Sequence, residues 1–409
     1  MTPMRFLLPA IALSLAWLLP AAASERGTTG ADFLKIGLGA ASVGTGEAAA
    51  ARTGELDALF YNPAGLAGTD RSRISAMHVQ WIADTRYESL AYVRPLLGNA
   101  ALGASLMLLH MPGIQALSAS GADEGLVSAY DLGVQFAYAQ DLPEWAGVPG
   151  LAGGAGLKIL HRQLADVSAS GAALDLGALY HADDNLTFGL SCQNLGYLSS
   201  FGSTSESLPL VMRAGAGYQV DLGAAHTVML LADAVYPADA TLRANLGCEY
   251  AFSRSVVLRA GYKFGYDTDG FQAGAGVRWQ ELSLDYALKV MEVFGVTHLI
   301  SASLGFGAPL AAMQENEAHR YLDEAEGLYG RSQYAAALAA AQAAVAADPK
   351  NKKAVELRDK LKSVIDLLEM STPPAAAPEP APSTPDEQEE QGLQPPPEPG
   401  NAVPGEVLP

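Results

Sequence analysis

The residues best suited to chemistry in this chain are charges placed at every second position. Arg213, Arg243, Arg259, Lys263, Arg278 and Lys289, with Asp233, Glu249 and Asp285, fall on one parity of segments whose other parity is apolar. Arg259, Gly261, Lys263 and Gly265, for example, interleave with Leu258, Ala260, Tyr262 and Phe264. Successive side chains of a strand point to opposite faces, so these segments read as strands with one charged and one apolar face. In a water-soluble sandwich the apolar face is the core; in a transmembrane barrel it meets lipid, and the charges line the lumen. A charge facing lipid near the midplane costs about 2–4 kcal/mol, so in a barrel this parity points inward. Such a wall has two readings. It is a structural ladder of ion pairs filling a closed barrel, or a basic surface that binds an anionic ligand or holds Asp32, Glu47, Glu55 and Asp57 near the N-terminus.

Other chemistry is sparse. The seven histidines (His78, His110, His161, His181, His226, His298 and His319) are scattered, with no pair at metal-ligand spacing, and are expected at the rim or in the lumen. Gly37-x-Gly39 followed by Gly44 and Gly46 lacks the spacing of a dinucleotide loop. No Gly-x-Ser-x-Gly turn supports a hydrolase. The expectation is therefore a protein that is not an enzyme, with no cofactor and no metal. A net charge of −19 argues against a nucleic-acid surface, which needs a basic patch. Cys192 shares its parity with Leu186, Phe188 and Leu190, and Cys248 with Leu242, Ala244 and Leu246. Both read as small apolar residues on the outward face of non-adjacent strands, so no disulfide is expected.

The elements that must position these residues fall into five stretches. Residues 1–23 read as a signal peptide: a basic start, an apolar run from Phe6 to Leu19, and Ala21-Ala22-Ala23 as a cleavage site. No later stretch reaches the ~18 apolar residues of a spanning helix, so a membrane location requires a barrel. Residues 24–70 are rich in Gly and Ala, lack alternation, and end in Asn62-Pro63-Ala64-Gly65, a turn motif. From 71 to 307, fourteen strand-length segments follow, with longer connections expected as exposed loops at 112–126 and 196–207. The charged fraction of 17% and 42 glycines suit a barrel with a lipid face.

Residues 317–370 change character. Tyr321, Ala325, Leu328, Tyr334, Ala337, Ala344 and Pro349 fit one tetratricopeptide unit, and Val355, Leu361, Val364, Ile365 and Leu368 mark one side of a following amphipathic helix. A plain helical hairpin is the alternative. Residues 371–409 hold 12 of the 24 prolines and seven acids, the composition of a disordered tail.

Several motifs in order resemble a known family. Asn62-Pro63-Ala64-Gly65-Leu66, Leu190-Ser191-Cys192-Gln193-Asn194-Leu195-Gly196, Leu208-Pro209, Arg213-Ala214-Gly215, Leu258-Arg259-Ala260-Gly261-Tyr262, Leu282-Ser283-Leu284-Asp285-Tyr286-Ala287 and Thr297-His298 are similar to the PorV/PorQ outer-membrane proteins, relatives of FadL-type fatty-acid transporters. The resemblance implies a fourteen-strand barrel with residues 24–70 folded inside as a hatch. It implies either passage of a hydrophobic small molecule through the outer membrane, or a secretion or anchoring role in which the periplasmic module at 317–370 recruits a protein partner. The expected surroundings are outer-membrane lipid. A secreted soluble β-protein is the bland alternative.

Overall fold

The computed structural model describes residues 28–371 except 143–146, 203, 205, 224 and 254. The signal peptide expected at 1–23 and, Ser371 apart, the tail expected at 371–409 lie outside the described residues. Fourteen strands follow one another: β1 (Ser72–Gln80), β2 (Arg86–Leu96), β3 (Ala100–Leu117), β4 (Asp123–Asp141), β5 (Leu151–Leu164), β6 (Val167–His181), β7 (Leu186–Leu198), β8 (Val211–Asp221), β9 (His226–Pro237), β10 (Arg243–Phe252), β11 (Val256–Phe264), β12 (Asp269–Trp279), β13 (Leu282–Met291) and β14 (Gly295–Phe306). Each pairs antiparallel with its sequence neighbours, and β1 pairs with β14 from Ser72↔Phe306 to Gln80↔His298. The sheet is a closed barrel with no free edge along its wall. The end holding Ser72 and Phe306 is the near end below; the other is the far end.

The strand count agrees with the alternation, but one expected loop does not. Most of 112–126 is strand, because β3 continues to Leu117 and β4 begins at Asp123. Pairing with β2 stops at Arg86↔His110 and with β5 at Ala129↔Leu164, so beyond these the hairpin stands as a two-stranded ribbon. A ribbon clear of the wall has no buried face, and the alternation that reveals a strand fades there. At 196–207, β7 likewise runs on to Leu198 before the connection begins.

Every strand presents a large apolar residue outward. Leu90, Phe136, Ile159, Leu176, Phe188, Leu230, Leu246, Leu258, Val277, Leu284 and Ile300 are all about half exposed, at 45–56%. A continuous apolar belt this size is unstable against water and suits the hydrocarbon of a bilayer. Among the described residues no helix is long and apolar enough to cross a membrane.

Residues 28–70 run inside the barrel. They form a 3-10 turn (Asp32–Lys35), helix α1 (Ala40–Gly44), helix α2 (Ala58–Tyr61) and a second 3-10 turn (Pro63–Gly68). The core lies between this segment and the wall: Phe33, Leu38 and Val43 pack with Met77, Val79, Tyr87, Met107 and Leu299. A second cluster joins Leu56, Leu59 and Leu66 to Val93 and Leu179.

After β14 come three helices, α3 (Leu310–Gly330), α4 (Tyr334–Ala347) and α5 (Lys352–Ser371). The helical module therefore starts at Leu310, not at 317, since the alternation ends at Phe306 and Pro309 opens the helix at once. Its core is its own: Ala325, Leu328, Tyr334, Ala337, Ala340, Ala341 and Leu361 pack together. On α5 the buried line is Ala354 and Leu361 with Leu357 beside them, whereas Leu368 is exposed, which corrects its expected place on the packed side.

Candidate functional site

The inner segment is seated on glycines. Asn62 donates its amide Nδ2 to the carbonyls of Ala50 at 2.6 Å and Ala178 at 3.1 Å, and its Oδ1 accepts from Ala64 N at 3.2 Å, capping the turn that Pro63 opens. The motif lies flat on β5 and β6 because Gly154 and Gly177, paired directly across the two strands, have no side chain there. A Cβ on Gly177 would stand 2.0 Å from Asn62 Oδ1, and one on Gly154 2.4 Å from Ala64 N. Gly65 has the same role within the segment, where a Cβ would meet the Arg52 carbonyl at 2.4 Å. On the opposite wall the paired Gly247 and Gly261 let Thr45 and Gly46 touch the strands. Asp233 on β9 anchors the stretch between, accepting from the amides of Ala49 at 2.9 Å and Ala50 at 3.0 Å.

The lumen charges form two networks that include this segment. In the first, Glu249 accepts from Arg52 at 2.6 Å and Arg259 at 2.7 Å, while Arg259 also pairs with Asp285 at 2.6 Å and Arg52 with Glu55 at 2.6 Å. In the second, Glu47 pairs with Lys263 at 2.9 Å and Lys289 at 3.4 Å, and both lysines meet Asp269. The two sequence readings of the charged wall thus merge: a ladder of ion pairs also holds Glu47 and Glu55. Asp32 pairs instead with Lys35 of its own turn, and Asp57 with no cation among the described residues. Burial alone would raise the Glu47 carboxyl, but Lys263 and Lys289 hold it well below the usual carboxylate range. Glu47 has a left-handed backbone (φ 59), and its carbonyl accepts from Arg213 and Asn245.

Three predicted lumen cations stand apart from these pairs. Arg213 lies over the Tyr61 ring at 5.2 Å and donates to Gln193 Oε1 at 3.1 Å. Arg243 lies over the Tyr266 ring at 4.4 Å. Arg278 reaches Glu55 only at 3.8 Å.

One feature of the wall went unread in the sequence. Between β6 and β7 the register slips from Leu174↔Leu195 to Leu176↔Cys192, leaving one extra residue on β7. Gln193 and Asn194, adjacent in sequence, are both buried, and Asn194 takes a left-handed conformation (φ 62). Asp175 fills the gap in the ladder, accepting from Asn194 N at 2.8 Å and pairing with Lys158 at 2.8 Å. Two successive polar residues in Ser191-Cys192-Gln193-Asn194 were the available signal for a bulge.

Beside this break, towards the far end, lies a cavity of about 60 Å³. Its lining mixes apolar side chains, among them Leu34, Ile36, Leu38, Phe60, Met107 and Val211, with charged ones, among them Glu47, Lys158, Arg213, Arg243 and Lys263. A near-end cavity of about 350 Å³ is lined by charged residues and serines.

The histidines are not lumen residues as a group. His78, His110, His161, His226 and His298 share the outward parity, and all but His110 lie close to strand ends, where water and polar partners are available. His78 contacts Glu88 at 2.9 Å, His226 the Tyr250 hydroxyl at 2.6 Å and His298 the Tyr286 hydroxyl at 2.7 Å. Cys192 and Cys248 are free, on β7 and β10.

A closed fourteen-strand antiparallel barrel with its own N-terminal segment as a plug is the class of protein these observations define. No family model matches the sequence, and no curated protein matches it. Among solved structures, the toluene transporter TodX of Pseudomonas putida has the same fold, with a TM-score of 0.50 at 15% identity over 66% of this chain and 98% of TodX. The toluene transporter TbuX of Ralstonia pickettii gives 0.46 at 16% over 66% and 99%, and a FadL homologue of Pseudomonas aeruginosa 0.42 at 11% over 66% and 98%.

Proposed function

We propose that this chain is an outer-membrane barrel that passes a hydrophobic or amphiphilic small molecule, with the inner segment as a movable hatch. The observation that carries this reading is the far-end cavity, which joins apolar side chains of the inner segment, Leu34, Ile36, Leu38 and Phe60, to the β6–β7 break. The toluene-transporter fold of TodX supports it. In its plugged form the cavity is too small for such a cargo, so passage needs displacement of Leu34–Leu38 or Phe60 from the wall. The near-end cavity offers cargo of this kind little apolar surface, so the favoured exit is through the break into the bilayer. Kinship with PorV/PorQ proteins, carried by the order of motifs from Asn62 to His298, belongs to the same proposal; the helical module would then face the periplasm.

The test is uptake of radiolabelled toluene and oleate by cells with and without the gene. Faster uptake in cells carrying the full chain is expected. Equal rates for both probes would count against a transport role and leave the secretion or anchoring role as the alternative.

A further inference from the structure

The near-end cavity, unused by the proposed passage, is built from small hydroxyls on one side. Ser75, Ser303 and Ser283 face one another across β1, β14 and β13 in a single register row, with Ser301 opposite Asp285 in the next. These serines, with Arg278 of β12 and Arg259 of β11 beside them, border an open space of about 350 Å³. The other side is the inner segment from Thr53 to Asp57.

Most charges around this space are committed. Glu55 pairs with Arg52 at 2.6 Å, Asp285 with Arg259 at 2.6 Å, Arg73 with Asp70 at 2.8 Å, and Glu281 with Arg71. Two groups remain. The Arg278 guanidinium comes no closer than 3.8 Å to a carboxylate. Asp57 has no cation in ion-pair reach among the described residues; it accepts the Ser42 amide at 3.1 Å and feels Arg52 only at longer range. Burial, reinforced by the charge of Glu55, raises the Asp57 carboxyl to about 6 against the smaller opposing pull of Ser42 and Arg52.

One cation held only by a long ion pair and one carboxyl with no ion pair among the described residues, in the same cavity, are complementary to a ligand that carries both charges. We propose that the near-end cavity binds a small zwitterion of the amino-acid type, its carboxylate at Arg278, its ammonium at Asp57, and its remaining hydrogen bonds to the serine row. A lone anion would face Glu55 and Asp285, and a lone cation would face Arg259 and Arg278, so neither sign alone is favoured. Because Asp57 also holds the amide of Ser42 in α1, occupancy is linked to the seating of the inner segment.

Isothermal titration of the full chain in detergent with glycine, β-alanine, 4-aminobutyrate and 6-aminohexanoate tests this, the series probing the span between anchors. Butyrate, butylamine and sorbitol are the controls. One zwitterion is expected to bind one per chain, at least about tenfold tighter than any control, with Asp57→Asn and Arg278→Gln each weakening it at least about tenfold. Both variants should keep the heat-modifiable migration of a folded barrel. The proposal is overturned by no binding across the series, by a control that binds as tightly as the best zwitterion, or by folded variants that bind like the parent.

Discussion

Two acidic residues of the inner segment, Glu47 and Asp57, respond to pH with opposite sign. Glu47 is held well below its ordinary range by two lysines, so its stabilisation is present above the unfolded value and is lost only as pH falls toward the folded one. Asp57 is raised from 3.8 to about 6, so its favourable contribution exists below the unfolded value and is lost as pH rises through 6. At neutral pH its ionised form is a cost of at most about 3 kcal/mol. Asp57→Asn should therefore raise the thermal midpoint at pH 7.5 and lose that advantage at pH 4; an equal effect at both would contradict the assignment. Glu47→Gln removes a buried counter-charge from Lys263 and Lys289, a change that costs about 3–5 kcal/mol in comparable sites. Hydrogen exchange at residues 40–51 should accelerate in that variant while the strands stay protected.

At the scale of elements, the seat of the inner segment is a glycine surface. Gly177→Ala places a methyl where Asn62 Oδ1 lies, so the motif must lift from β6, at a cost of about 1–3 kcal/mol. Protease sensitivity near Asn62 should rise without loss of the barrel. The β6–β7 break makes a separate prediction: deleting Asn194 restores simple alternation on β7 and should slow uptake of hydrophobic probes while heat-modifiable migration persists. Much of this architecture was legible in the sequence, because a strand with lipid on one face and the plugged lumen on the other separates the two at a period of two. Arg259, Glu249 and Asp285 announced one network by parity alone. Their partner Arg52 did not, since a plug without alternation gives no register against the wall. The glycines were readable as crowding, yet which backbone they admit depends on contacts distant in sequence, such as Gly177 with Asn62. Of the two places expected for the histidines, rim and lumen, most take the rim, where an outward residue near a strand end meets water as a lumen residue does.

At the scale of the whole molecule there are two packing units, the helical module and the barrel with its inner segment. The helical module packs on itself and touches the barrel through Leu310 N to the Asp70 carbonyl and Gln314 to Asn99. Truncation before residue 317 keeps both contacts and should leave barrel migration and uptake unchanged, whereas loss of uptake would give the module a part in transport. The barrel and its inner segment, by contrast, share one core, so a passage requires them to separate locally. The most direct test locks them together. A Cβ on Gly217 would lie 3.5 Å from that of Ala51, within disulfide range. With Ala51→Cys and Gly217→Cys introduced beside Cys192→Ser and Cys248→Ser, uptake of toluene or oleate should stop on oxidation and return on reduction. Equal uptake by the oxidised and reduced forms would contradict the account, because the cargo would then cross with the inner segment still fixed to β8.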